Sequence, residues 1–253
     1  MIQTRASRFL RIAGAAITAL VALFCLALLA VRFIIFPRID SYRGEIIARL
    51  AAELDAGVAI TAIDTGWDGW NPKLSIRGLA ILDRARPDAA PVLELPRVDL
   101  VIAWTSVPLL DLRLEQLTID RPQLAVRRDT DGRLHLAGIE IDLTAQNEDT
   151  RFTDWLLRQP EIVVRDALVT WTDELRGAPP LVLDDVQFRL EQSFGRHRFG
   201  LLGKPPAYLA APLDLRGDVT GASLADWRNA KGNLYVRLDY ADVGLWREWL
   251  PLP

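Results

Sequence analysis

One cysteine, one methionine and two histidines are all that 253 residues offer of the side chains that build disulfides and soft-metal sites. With only Cys25, no intrachain disulfide forms and no thiolate zinc cluster can be drawn. His135 and His197 lack the His-x-His or His-Glu-x-x-His spacing of a metal centre and read as strand-face residues. The Gly-x-Ser-x-Gly elbow, the Gly-x-Gly-x-x-Gly fingerprint and the Gly-x-x-x-x-Gly-Lys loop are also missing, which removes the commonest hydrolase and nucleotide signatures. Asp173-Glu174 and Asp184-Asp185 are neighbours whose side chains point to opposite faces of a strand, so neither pair converges for acid-base work. Asp129-Thr130-Asp131-Gly132 starts like a calcium loop but lacks its third acidic position and its distant Glu, and reads as a hairpin turn. No catalytic residue, no cofactor and no enzymatic activity are therefore expected. Nor is nucleic acid a partner: 30 basic against 33 acidic residues leave a net charge of -3, with no basic cluster beyond the amino-terminal stretch.

What is present first is a long uncharged run. Ile12 to Val31 lies between Arg11 and Arg32 without a charge. As a helix at ~1.5 Å per residue it spans ~30 Å, the hydrocarbon thickness of a bilayer. A cleaved secretory signal is the rival reading, but its core is usually only ~7–15 residues, and Leu28 sits where a small residue is wanted between Ala27 and Ala30. Length favours a retained anchor. Arg5, Arg8 and Arg11 before the span and Arg32, Arg38, Arg43 and Arg49 after it leave the orientation open.

Beyond the anchor (1–36), Ile39, Tyr42, Ile46, Leu50 and Leu54 recur at intervals of three and four, with Arg43, Glu45, Arg49 and Glu53 between them. This predicts an amphipathic helix within 37–57, capped by Asp40 or Ser41 and ended by Gly57, its stripe packed on the following domain. From Val58 the beat changes to two. Val98, Leu100, Ile102 and Trp104 alternate with Asp99, Val101, Ala103 and Thr105, and the same pattern runs through Ile139, Ile141 and Leu143. It returns in Val186, Phe188 and Leu190, and in Leu234, Val236, Leu238 and Tyr240. These are strands with one wet face. Turn signals such as Trp67-Asp68-Gly69, Arg121-Pro122 and Lys204-Pro205-Pro206 separate them closely, which predicts antiparallel meanders. Helices are scarce: a short one at Phe152, Trp155 and Leu156, stopped by Pro160, and another at Leu245, Trp246, Trp249 and Leu250. The fold class is thus mainly β: a transmembrane helix, a short amphipathic helix, then a long antiparallel twisted sheet over 58–253. Two or three short helices cannot cover one face of about ten strands, so what occupies that face is the functional question. Among the eight tryptophans, Trp67 and Trp70 suit either a bilayer interface or the end of a sheet core.

Several stretches together carry a family likeness: Trp155-Leu156-Leu157-Arg158-Gln159-Pro160, Arg165-Asp166-Ala167, Trp171, Arg196-His197-Arg198-Phe199, Leu213-Asp214-Leu215-Arg216-Gly217, Gly232-Asn233-Leu234-Tyr235 and Trp246-Arg247-Glu248-Trp249-Leu250. In this order they resemble the amino-terminal part of the YhdP family within the wider AsmA-like proteins. Arg121-Pro122-Gln123-Leu124 followed by Arg128-Asp129-Thr130-Asp131-Gly132 is similar to the strand-turn pattern repeated in such proteins. The resemblance implies an inner-membrane protein of a diderm bacterium, amino terminus cytoplasmic and body periplasmic, with a twisted β-groove that carries phospholipids between inner and outer membranes. Members are several times longer, so it implies that this chain holds the anchor and the start of a groove. The expected lining is Val98, Leu100, Ile102, Trp104, Ile139, Ile141, Leu143, Val186, Phe188, Leu190, Leu234, Val236 and Leu238. The expected partners are phospholipids, the inner membrane and other envelope proteins. The alternative is an envelope scaffold whose sheet packs on itself.

Overall fold

The uncharged run forms helix α1 (Gln3–Ala30), prolonged by a π-helical turn at Val31–Ile35 and a 3-10 segment at Phe36–Tyr42. In this computed structural model the described residues are 3–53, 57–82, 91, 93–109, 111–136, 139–141, 155, 158–220 and 231–249. They fall into two units, 1–42 and 43–253. Among them Gly14–Ile34 is the one helical segment long and apolar enough to cross a membrane, with a mean hydropathy of 2.6. The hydroxyl inside it is satisfied locally, Thr18 Oγ1 donating to the Gly14 carbonyl at 2.9 Å.

The second unit starts with α2 (Arg43–Glu53). Ile46, Ile47, Leu50 and Ala51 are half-buried while Glu45 and Arg49 stay in solvent. This face lies on the first strand, β1 (Gly57–Asp68), where the Arg43 guanidinium also donates to the Thr61 carbonyl. Two details differ from the periodicity: Tyr42 is exposed, and Gly57 opens β1 instead of ending the helix.

All strands described belong to one twelve-stranded sheet. They are β1 (Gly57–Asp68), β2 (Asn71–Leu82), β3 (Leu93–Ile102), β4 (Leu114–Asp120), β5 (Gln123–Arg128), β6 (Leu134–Leu136), β7 (Ile139–Ile141), β8 (Glu161–Asp173), β9 (Ala178–Ser193), β10 (Arg196–Lys204), β11 (Leu213–Thr220) and β12 (Lys231–Arg237). Each of β1 to β4 and of β8 to β12 pairs antiparallel with its neighbour in sequence, as their close spacing predicts. The exception is the contact of β8 with β4 and β5, which is parallel. Residues 129–160 connect them, long enough for a crossover that a tight turn could not make. β1 pairs only with β2 and β12 only with β11, so the described strands form an open sheet and not a closed barrel.

Arg121-Pro122 is not a turn. β4 and β5 keep a single register on both sides, Asp120 opposite Arg97 and Gln123 opposite Glu94, Asp120 beside Arg165 and Gln123 beside Leu168. They are one strand with a crease. The crease crosses the sheet: positive φ occurs at Gly78 on β2, Arg121 between β4 and β5, Asp166 on β8 and Asp185 on β9. On the intervening β3 the position is Pro96, which has no N–H to pair. On β1, β2, β3, β8 and β9 the buried and half-buried apolar residues step by three instead of two: Ile60 to Ile63, Ile76 to Leu79, Leu95 to Val98, Val164 to Ala167, Leu183 to Val186. A step of three would normally turn the side chain to the other face. On β2, β8 and β9 a left-handed residue rotates the backbone back, whereas β3 passes the crease at Pro96 without one, and there Leu95 and Val98 still pack on the same cluster.

Two local devices hold the panels. Gly78 lies so close to β1 that a Cβ there would be 2.3 Å from Thr61 Oγ1. At the far end of the same panel, Asp173 is 1% exposed and ion-paired with Arg128, which also lies over the Trp171 ring. Burial pushes the Asp173 carboxyl up, but the Arg128 hydrogen bonds and the Arg176 backbone N–H outweigh it and leave it below the usual carboxylate range. Its stabilisation is therefore present above about pH 4 and lost as pH falls through the lowered value. Urea unfolding followed by tryptophan fluorescence should show stability declining below about pH 5, with Asp173→Asn flattening part of that slope and costing about 3 kcal/mol at neutral pH. Gly78→Ala should cost about 1–3 kcal/mol from backbone strain, and adding Thr61→Ala should recover only the steric part of the loss.

Candidate functional site: a continuous apolar face

Residues directly opposite one another in a ladder share a face. Following the register strand by strand gives one uninterrupted row, Ile63–Ile76–Val98–Ile119–Val164–Phe188–Leu201–Leu215–Val236. The row beside it reads Thr65–Leu74–Leu100–Leu117–Ile162–Leu190–Phe199–Gly217–Leu234. At Gly217 the missing side chain is needed, because the Phe199 ring lies where a Cβ would stand, 2.2 Å away. Beyond the crease the face continues as Val58–Ile81–Leu93–Leu124–Val169–Leu183.

The opposite face is charged. Its row runs Asp64–Ser75–Asp99–Thr118–Val163–Arg189–Gly200–Arg216–Tyr235. Cross-strand ion pairs join it: Arg77 to Asp64 at 2.6 Å, Lys73 to Asp99 at 2.9 Å, Arg189 to Glu161 at 2.6 Å. Arg165 reaches Asp120 at 3.7 Å, and Arg196 pairs with Asp218. Burial raises the Asp99 carboxyl, yet Ser75, Lys73 and Arg97 bring it below its ordinary value, so it stays ionised within the sheet. The carboxylates of the sequence pairs are used here too: Glu174 binds Arg127 at 3.0 Å and Asp185 binds Lys204. His135 meets Asp129 at 2.9 Å in the hairpin turn, whose Oδ1 also accepts from the Asp131 and Arg133 N–H groups.

Coverage of the apolar face changes along it. Val98, Leu114, Leu117, Ile162 and Leu190 form a closed cluster, Leu114 1% exposed and Leu190 4%, onto which Trp155 packs. A second cluster, Leu181, Leu209 and Trp249, seals the face over Trp171. Helix α4 (Val243–Trp246) brings Trp246 and Trp249 there, capped by Asp242, with Trp249 Nε1 donating to the Pro179 carbonyl at 2.9 Å. (The remaining helix, α3 (Ser106–Leu109), connects β3 to β4.) At β12 nothing described lies over the rows: Leu234 is 64% exposed and Val236 56%.

Of the expected lining residues, Val98, Leu100, Ile102, Phe188 and Leu190 come together on this face around one cluster, and Val186 lies buried just across the crease. Leu234 and Val236 continue the rows at the open end. Trp104 does not: it follows the end of β3, stacks on Trp67 with ring centroids 6.5 Å apart, and donates to the Trp70 carbonyl at 2.9 Å. Leu238 follows the end of β12 and is exposed. Ile139 and Ile141 sit on β7, which joins the sheet through β6 and β5 and pairs with none of the nine strands that carry the two rows, and Leu143 lies outside the described residues. The rows also contain residues the alternation alone did not single out, among them Ile76, Ile119, Val164, Phe199 and Leu215. The three-residue step at the crease was the signal that could have joined them.

An apolar helix of membrane-spanning length and an open sheet, charged on one face and apolar across the other, together define a β-sheet protein with an amino-terminal apolar helix and an apolar face that the described residues cover only in part. A family model described as YhdP protein matches residues 1–250, and the chain belongs to that family. No curated protein matches the chain significantly. The division of the face predicts two kinds of substitution. Leu114→Ala should cost about 2–5 kcal/mol in chemical denaturation, while Leu234→Ser with Val236→Ser should stay within about 0.5 kcal/mol per site.

Proposed function

We propose that this protein is a membrane-anchored lipid conduit element, shielding phospholipid acyl chains on its apolar face as they move between the inner and outer membranes of a diderm bacterium. The observation that carries this is the pair of register-aligned apolar rows, which cross nine strands and end uncovered at Leu234 and Val236. An acyl chain in water costs ~0.8 kcal/mol per CH₂, so a trough that keeps the tails covered removes most of the barrier to leaving a bilayer, and no covalent step is needed. The charged opposite face keeps the sheet solvated, and headgroups remain in water at the open side. With Gly14–Ile34 as the anchor, the likeness to the YhdP family supports a body in the periplasm and an amino terminus in the cytoplasm.

A second reading has its own support. The sealed cluster around Leu114 and Leu190 is ordinary protein core, so a scaffold that presents its surfaces to other envelope proteins needs no lipid at β3, β4, β8 or β9. Position 236 separates the two. Val236 and Tyr235 are similarly exposed, 56% and 51%, on opposite faces of β12. A photo-crosslinking side chain at 236 should give phospholipid adducts several-fold above one at 235, and equal labelling would defeat the conduit reading. The topology is checked by a reporter fused after Pro253, expected to be active only in the periplasm.

A further inference from the structure

The two rims of the sheet are built differently. Strand directions gather the β1–β2, β3–β4 and β9–β10 connections at one rim and the β8–β9 turn at the other. At the first rim Trp70 is 80% exposed, Leu112 is exposed and Phe194 is wholly exposed. Loops in water favour Gly, Pro, Asn, Asp and Ser, so large apolar tips in three separate connections need a reason.

Two of the three tips are also held. Trp104 Nε1 donates to the Trp70 carbonyl at 2.9 Å, and the Trp104 ring is itself stacked on Trp67. Trp155 Nε1 donates in the same way to the Leu112 carbonyl at 2.8 Å. Phe194 occupies a left-handed backbone position, φ 48°, beside Gly195, a conformation that costs a β-carbon residue free energy and that glycine or asparagine would adopt more readily. The two tryptophans of the first turn thus divide the work: Trp67 supports and Trp70 faces out. Basic and acidic side chains are interspersed here, Arg113 pairing with Asp111 at 3.6 Å and Arg196 with Asp218, so the described residues of this rim form no block of one sign that would attract a polyanion or an acidic peptide.

We propose that this rim rests in the interfacial zone of a phospholipid bilayer, with Trp70, Leu112 and Phe194 entering to headgroup depth. Indole and phenyl rings with aliphatic neighbours and balanced charge match that zone, where one end of the side chain is wet and the other apolar. The chain supplies its own bilayer: Gly14–Ile34 tethers the body to a membrane surface at high effective concentration. The contact does not depend on lipid being carried, and it holds equally for a scaffold.

The test uses the full chain, reconstituted through its own helix into vesicles of phosphatidylethanolamine and phosphatidylglycerol. With Cys25→Ala as background, an environment-sensitive fluorophore is placed at Trp70→Cys, Leu112→Cys or Phe194→Cys, and as control at Leu175→Cys, exposed in the turn of the opposite rim. Spin-labelled lipid should quench the first three several-fold more than the control, with a blue-shifted emission. Absence of quenching at the three, equal quenching at all four positions, or a blue shift that disappears as lipid is raised relative to protein, which is the mark of self-association, would each overturn the proposal.

Discussion

The period of two along a strand, kept in register from one strand to the next, is the constraint on which the structure depends. Apart from Thr65 and Gly217, each residue of the two rows is an apolar side chain held in line with its neighbours, because a slip of one position would move a strand's whole apolar set into water. The charged rows on the other face impose the same register independently: Asp64, Asp99 and Asp120 find Arg77, Lys73 and Arg165 only where the pairing is correct. Individually such surface pairs contribute little, but here both faces vote for one alignment.

The crease shows how this constraint survives bending. A strand long enough to carry two panels must change phase where the panels meet, and the left-handed positions at Gly78, Arg121, Asp166 and Asp185 absorb that change in one line. Three of the four are not glycine, so the sheet carries backbone strain there in return for an apolar face that stays continuous. The closed clusters on either side, one around Leu114 and the other around Leu209, supply the packing that holds it in place.

Membership of the YhdP family and the open sheet lead to the same question from different directions: what lies on an apolar face that the protein covers only in part. Over β3, β4, β8 and β9 the answer is protein, because Leu114, Ile162 and Leu190 have no room for anything else. Toward β12 the rows emerge into the open, and a lipid tail is the occupant that the chemistry of Leu234 and Val236 would accept. The same rows of side chains are thus folded core at one place and exposed apolar surface at another.

Much of this was legible in the chain. The run Ile12 to Val31 determined a helix of membrane-spanning length, since only a helix satisfies a backbone among so many apolar residues. The alternation in Val98, Leu100, Ile102 and in Phe188, Leu190 determined strands with one apolar face, and the missing motifs left no constellation to call catalytic. Local pattern could not see across strands. That Arg121-Pro122 is a crease and not a turn, that β8 joins β4 and β5 in parallel, that Trp104 leaves the face to brace Trp70, and that Leu190 is sealed while Val236 is bare were all decided by tertiary structure. The physical reason is common to the four: alternation tells which way a side chain points relative to its own strand, whereas register, crossover and burial are properties of neighbours far away in sequence.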